Sequence, residues 1–372
     1  MKAILIDGIQ IGGAERRALR LVVALRDSGY PVKLLVSGRL CPLAATVIPT
    51  DADTMVVYDD YPASLRLAGR LVEALRRRRF GGRRLADLLE RRLMPWRDRH
   101  LARVLQDQGI DTLHIFLDPT IGMGLPARTI VEVTGPDYVE RLDKTGLFAA
   151  QGVLFHAVNE TVHELTRQRV GDDRVGQPPI TFFDLARFPE PLPFEQRRNT
   201  IVFAHRFLPR KNGLLFARVA ARFLDDRPEW SVTVLGKGRE EQAIRAALAR
   251  HLHTGRAVVD YRSPIFEDLA RAKVFVSVIE PNNYPSQSVL EALAFGNALL
   301  LSDTGTSLTR FLEGNGVSCT LDENTMLAAL KRLTSDQAML AEMGMASRHL
   351  VTKRYDKNVY LEHIKGLYGK FC

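Results

Sequence analysis

Short apolar runs alternate with amphipathic stretches along this chain, and the pattern begins at once. Lys2-Ala-Ile-Leu-Ile-Asp7 reads as a buried strand. Gly8, Gly12 and Gly13 make a turn after it. Residues 15–28 then carry Leu19, Leu21, Val22, Val23, Ala24 and Leu25 on the covered side of a helix. Val32-Lys-Leu-Leu-Val36 is the next strand. Strand, glycine turn, helix, strand is the opening unit of a parallel α/β sheet. Short strands follow at 54–58, 112–117, 129–133 and 152–158, with a helix at 162–170. Residues 177–193 are dense in proline and lack a helical period, so 177–198 reads as a linker.

After the linker the pattern restarts. Strands are expected at 200–204, 231–235, 257–260, 274–279 and 298–302. Helices are expected between them at 213–224, 239–251, 266–272 and 286–295. The whole reads as two doubly wound α/β domains, 1–176 and 199–355, facing each other across a central cleft. Residues 356–372 form a C-terminal helix expected to pack back on the first domain. Such sheets bind ligands beyond the carboxyl ends of their strands, so the strand-to-helix loops carry the candidate chemistry.

Composition narrows the class. A chain of 372 residues with 46% hydrophobic and 26% charged residues has material for two ordinary globular cores. Cys41, Cys319 and Cys372 are odd in number and have no metal-ligand spacing, which fits a reducing, cytosolic setting. The apolar run at Ala3–Ile6 ends too early for a signal core, and no stretch approaches the ~20 apolar residues of a spanning helix. Net charge is +9, and the segment 66–103 holds all of that excess, with thirteen arginines against four acidic residues.

Three loops carry the candidate site. A buried strand ends at Ile279, and a polar loop with Asn283, Tyr284 and Ser286 leads into a helix bearing Gln287, Ser288 and Glu291. Such a loop presents free backbone N–H groups and the positive end of a helix dipole, which suit phosphate. Glu291 is placed to accept hydrogen bonds from a ribose diol, though an ordinary surface glutamate would fit the same spacing. After the second domain's first strand comes His205-Arg206-Phe-Leu-Pro-Arg-Lys211-Asn212-Gly213, whose two cations five apart suit a diphosphate. Gly12 and Gly13 let the first loop approach a ligand closely.

These segments resemble the retaining, family 4-like glycosyltransferases (glycosyl transferases group 1) of GT-B fold. Glu291-Ala-Leu-Ala-Phe-Gly296 is similar to their Glu-Ala-(Leu/Met)-Ala-x-Gly helix, and Arg206 and Lys211 keep the spacing of their Gly-Arg-(x)4-Lys-Gly element. Ile11-Gly12-Gly13-Ala-Glu15 is similar to their Gly-Gly-(Ala/Thr/Ser)-Glu loop. Asn283 replaces the first glutamate of the pattern, and His205 and Asn212 replace two glycines. Phe116 and Thr134 stand where relatives often carry histidine, which leaves His114 and Asp118 as the polar candidates for acceptor or sugar contact.

The resemblance implies a transferase that moves a sugar from a nucleoside diphosphate to a hydroxyl of a polysaccharide or lipid-linked acceptor, with retention. Arg206, Lys211 and Glu291 would be catalytic; Gly12, Gly13, Asn283, Tyr284, Ser286, Gln287 and Ser288 would bind the donor. No cofactor or metal is expected, because the two cations take the metal's part. The alternative, motivated by Phe116, Thr134 and Asn283, is a non-catalytic GT-B-like nucleotide-sugar-binding or scaffold protein. Leucines, Met94 and Trp96 interleave with the arginines of 66–103, a pattern of a basic surface on an anionic membrane. A solvated or partner-binding helix face carries the same pattern. Nucleic acid is not expected, since no reading motif accompanies the charge. The expected location is cytoplasmic, peripheral at the inner face of the plasma membrane.

Overall fold

The structure is a computed structural model that describes residues 1–7, 13–37, 55–57, 67–68, 71–72, 74–75, 82–116, 128–145, 147–150, 152–176, 181–280, 286–305 and 307–370. The chain forms two compact units, Met1–Phe182 with Leu361–Cys372, and Phe183–Tyr360.

The first unit has strands β1 (Lys2–Asp7), β2 (Val32–Ser37), β3 (Met55–Val57), β4 (Thr112–Phe116), β5 (Arg128–Val133) and β6 (Val153–Ala157). All pair in parallel in the order β3-β2-β1-β4-β5-β6. Helices α1 (Gly13–Asp27), α2 (Gly82–Asp107), α3 (Pro136–Thr145) and α4 (Glu160–Val170) accompany it. Every side chain of β4 is buried, as helices on both faces of a parallel sheet require. Local signals set the ends: Asn159 caps α4 by accepting from the Val162 N–H at 2.9 Å.

The second unit repeats the plan. Strands β7 (Arg198–Ala204), β8 (Ser231–Leu235), β9 (Ala257–Asp260), β10 (Ala272–Ser277), β11 (Ala298–Ser302) and β12 (Gly316–Cys319) run parallel in the order β12-β11-β10-β7-β8-β9. Helices α5 (Gly213–Asp226), α6 (Glu241–Ala247), α7 (Ala249–His253), α8 (Phe266–Arg271), α9 (Gln287–Ala294), α10 (Glu323–Leu333) and α11 (Gln337–Leu350) belong to it. In both units the first strand lies at the centre and the winding reverses beside it, between β1 and β4 and between β7 and β10. The last helix, α12 (Lys357–Gly369), buries Leu361, Ile364, Leu367 and Tyr368, and its residues from Leu361 onward count with the first unit.

The proline-dense stretch is not a free linker. From Phe183 onward it is part of the second unit's core. The Phe183 ring stacks on Phe188 with centroids 4.8 Å apart, and Phe188 packs on Phe266 and Phe295. Prolines remove the helical period, but the aromatics between them still bury their faces.

A polar cluster sits inside the first unit. Glu132 is fully buried; its Oε2 accepts from Arg17 Nη2 at 3.0 Å, and its Oε1 lies 2.9 Å from His156 Nδ1 and 3.4 Å from His114 Nε2. His114 Nδ1 shares a 3.1 Å hydrogen bond with the Tyr368 hydroxyl of α12. The register explains the meeting. Glu132 pairs with Phe116 and with His156, so strands β4, β5 and β6 turn these side chains to one face. Burial pushes the Glu132 carboxyl up, but the charges of His156 and Arg17 and the hydrogen bonds from both histidines hold it well below the carboxylate range. Burial lowers His114, with Glu132 working against it.

Replacing Glu132 by Gln removes the carboxylate against which Arg17 and two imidazoles are set. Urea unfolding at pH 7 is expected to show a loss of about 3 kcal/mol. A carboxyl with a depressed folded pKa contributes fully above the unfolded value and loses its contribution as pH falls. The wild-type advantage should therefore shrink below about pH 4, and a pH-independent difference would refute the charge assignment.

Candidate functional site

The reversal of winding between β7 and β10 sends their following loops apart and leaves a crevice at the carboxyl ends of the two strands. Both loops carry candidate residues. After β7 come His205 and Arg206, then a 3-10 turn, Pro209–Lys211, and Asn212 in the left-handed region at φ 53°. After β10 come Val278, Ile279 and Glu280.

Side chains and backbone stitch these loops together. His205 Nε2 and Ser277 Oγ share a 3.0 Å hydrogen bond, and Asn212 Nδ2 donates to the Val278 carbonyl at 2.8 Å. The Glu280 N–H donates to the Arg210 carbonyl at 2.9 Å. From β11, Ser302 Oγ donates to the Ile279 carbonyl at 3.0 Å. A third loop, after β8, lies against the first: the Phe207 N–H donates to the Lys237 carbonyl at 2.8 Å. Here Gly236 and Gly238 are required by close approach. A Cβ at Gly236 would stand 2.0 Å from the His205 carbonyl oxygen, and one at Gly238 2.3 Å from that of Phe207.

The electrostatics of the first loop are one-sided. Arg206 is exposed and Lys211 is buried. Among the described residues no carboxylate pairs with either. Burial, then the charges of Arg210 and Arg206, push the Lys211 ammonium down to about 8. Burial of the His205 ring, which packs on Phe203 and Phe275, and then the charge of Lys211 push that imidazole down to about 3, so it stays neutral at ordinary pH. A buried cation among like charges, with no acid to neutralise it, is a place that favours an anion.

Helix α9 follows the β10 loop. Ser286 occupies its N-cap position without capping it, and its hydroxyl lies 3.2 Å from that of Ser288. The first-turn N–H groups therefore have no side-chain cap from Ser286. At the other end, Arg348 Nη1 and Arg197 Nη1 donate to the carbonyls of Ala294 and Gly296, which complements the negative end of the helix. Gly296 closes the helix at φ 64°, and Asn297, fully buried, donates to the carbonyls of Leu269 and Ala272. Glu291 is half-buried one turn into the helix and accepts from Gln287 Nε2 at 3.1 Å.

The structure thus gathers Arg206 and Lys211 at the carboxyl end of β7, and Ser286, Gln287, Ser288 and Glu291 on the helix that follows β10. Asn283 and Tyr284, Gly12, and Asp118 lie outside the described residues. Gly13 opens α1 in the first unit. His114, one of the two candidates for acceptor or sugar contact, is fully buried, because the strand register turns it toward Glu132 and Tyr368. Sequence reasoning missed Ser277 and the ties made by His205 and Asn212. It also missed Glu132 and His156, although single charged residues inside Thr-Ile-Val-Glu-Val133 and Val-Leu-Phe-His-Ala157 were the available signal.

Comparison with known proteins finds likeness in part of the sequence and in the fold. Residues 198–336 match the sequence profile described as "Glycosyl transferases group 1". This segment of the second unit is similar to the glycosyl transferases group 1 family. The match spans the loops after β7 and β10 and helix α9. No curated protein sequence matches this chain significantly.

Solved structures extend the likeness in fold to the whole chain. A glycosyltransferase from Rickettsia africae superposes with TM-score 0.72 at 12% identity, over 99% of this chain and 97% of that one. HepE from Anabaena, solved in complex with UDP, gives 0.71 at 14% identity over the full length of both chains. The lipopolysaccharide outer core galactosyltransferase WaaB gives 0.65 at 11% identity, again over both full lengths. The chain has the GT-B fold.

Gly236→Ala drives a methyl into the His205 carbonyl, and backbone has no rotamer with which to yield. A loss of about 2 kcal/mol or more in urea unfolding is expected. Equal stability would mean that the two loops do not approach as closely as described.

Proposed function

We propose that this protein is a glycosyltransferase that moves a sugar from a nucleoside diphosphate to a hydroxyl of a polysaccharide or lipid-linked acceptor, retaining the anomeric configuration. The observation that carries the proposal is the buried, acid-free Lys211 beside Arg206 at the carboxyl end of β7. Negative charge grows on the departing diphosphate as the sugar–oxygen bond breaks. Two fixed cations there lower the barrier, Arg206 as a fork and Lys211 as a point charge. Amides at the start of α9, with Ser286 and Ser288, add donors to phosphate or sugar, and Glu291 accepts from the ribose hydroxyls. Gly12, Gly13, Asn283, Tyr284 and Gln287 complete the donor contacts in this reading, and Asp118 is the remaining acceptor-side candidate. The cations do the work that a divalent metal does elsewhere, so no metal takes part. The complex of HepE with UDP supports a uridine nucleotide as the first donor to try.

Lys211→Ala and Arg206→Ala should each lower kcat/KM on the order of 10²-fold or more across a panel of UDP- and GDP-sugars. Lys211 must be charged to hold a diphosphate, and its pKa near 8 sets the limit. UDP affinity measured by calorimetry is expected to fall as pH rises through that value. Lys211→Arg should keep its charge and remove the alkaline loss. Full activity in Lys211→Ala, or UDP affinity independent of pH, contradicts the assignment.

The acceptor side of the proposal rests on α2. Leu85, Leu88, Arg92, Trp96, Arg99 and Arg103 recur every three or four residues along it and are all exposed. The Arg99 guanidinium lies over the Trp96 ring, 4.4 Å from its centroid. A stripe of leucine, tryptophan and arginine suits an anionic bilayer surface, with the aromatic at the headgroup level. No described helix is long and apolar enough to cross a membrane. The protein therefore works at the inner face of the plasma membrane in this reading, and the similarity in fold to a lipopolysaccharide galactosyltransferase supports an envelope glycan as acceptor.

Vesicles containing phosphatidylglycerol should carry the protein upward in a density gradient, and purely zwitterionic vesicles should not. Salt at about 0.5 M should weaken the association. Replacing Arg92, Arg99 and Arg103 together by Ser should abolish flotation while leaving UDP affinity unchanged. Flotation that ignores both salt and these substitutions rejects the surface.

A further inference from the structure

The loop that carries Arg206 and Lys211 departs from the family pattern near both ends, with His205 and Asn212 where glycines are usual. Each of the two spends its side chain on the same strand end. His205 bonds Ser277, and Asn212 bonds the carbonyl of the next residue, Val278. The backbone bond from Glu280 to Arg210 lies between these ties in the loop, and Ser302 holds the strand end from β11. We propose that His205 and Asn212 are positioning residues that anchor both ends of the Arg206–Lys211 loop to β10 and so set where the two cations stand. The proposal rests on the donor-phosphate reading of that loop and deepens it.

Asn212 shows the cost of the arrangement. It holds the N-cap position of α5, where an asparagine side chain ordinarily caps its own helix, yet it makes no such bond. It reaches across to β10 instead, with its backbone in the left-handed region that asparagine tolerates better than most residues. A glycine there would keep the backbone and lose the tie. His205 contributes a ring that stays neutral, so it anchors the loop without adding a further positive charge beside Lys211. The charged groups facing Lys211 are Arg206 and Arg210 of its own loop. Glu280 enters from the β10 side through its backbone, as an exposed residue. Electrostatic stabilisation of a leaving group works only when the charges are already in place, so anchoring governs the rate more than the affinity.

Two variants remove one tie each without adding backbone strain. Asn212→Gly keeps the left-handed backbone, and Ser277→Ala removes the partner of His205. The ionisation of Lys211 is read by competitive acetylation with acetic anhydride between about pH 6 and about pH 11, followed by peptide mass spectrometry. In the wild type its midpoint is expected near 8. In each variant the loosened lysine gains water, and the midpoint should rise by about one pH unit. With the donor identified by the panel, kcat should fall on the order of 10-fold while KM stays within about 3-fold. Ser277→Thr, which keeps the hydroxyl, should restore both readings.

Unchanged Lys211 midpoints in both variants overturn the proposal. So does a rise in KM at constant kcat. A shifted midpoint in variants of a protein that turns over no sugar nucleotide leaves the anchoring intact and rejects the donor reading instead.

Discussion

The strand order of the second unit constrains everything that its site does. In a parallel sheet each strand must be followed by a crossover, and here the crossovers turn one way after β7 and the other way after β10. Adjacent strands therefore release their chains in opposite directions, and a crevice opens at their carboxyl ends. Left alone, the two loops that border it would share no ladder hydrogen bonds. The structure supplies bonds between them through His205, Asn212 and the Glu280 amide, and Ser302 holds the second loop from β11.

That tying allows a costly group to be held. A lysine that is buried among arginines, with no carboxylate paired to it among the described residues, is destabilising in the empty protein. Its loop is held from two sides: Gly236 and Gly238 bring the β8 loop against it, and the strand end of β10 bonds it on the other. Site and stability pull in opposite directions here, as they commonly do where charge must be ready before a substrate arrives.

The first unit shows the same fold used otherwise. Its buried ionic groups are mutually paired, with Glu132 between Arg17 and two histidines and with Tyr368 of α12 closing the set. Paired charge of this kind offers a ligand little, because each group is already compensated. Its effect is to specify register and to fasten the end of the chain to the sheet: His114, Glu132 and His156 meet only if β4, β5 and β6 align as they do. The contrast between the two units separates a cluster that holds structure from one that awaits an anion. The presence of partners makes the difference, not the degree of burial.

By itself the sequence determined the alternation of strands and helices, the two doubly wound units and the loops that carry Arg206, Lys211 and Glu291. Those features follow from apolar periodicity and from spacing along one segment, and both are local. The proline-dense stretch misled because proline erases the helical period while Phe183 and Phe188 still pack into the core. His114 shows the limit of local reading, because a polar residue in a strand looks the same whether it faces a ligand or a buried glutamate on the next strand. Only the tertiary structure decided such partners. His205 meets Ser277 and Asn212 meets Val278 across more than sixty residues of chain, and Glu132 meets Arg17 across more than a hundred. Strand order and register bring those pairs together, and neither leaves a periodic trace in the residues themselves.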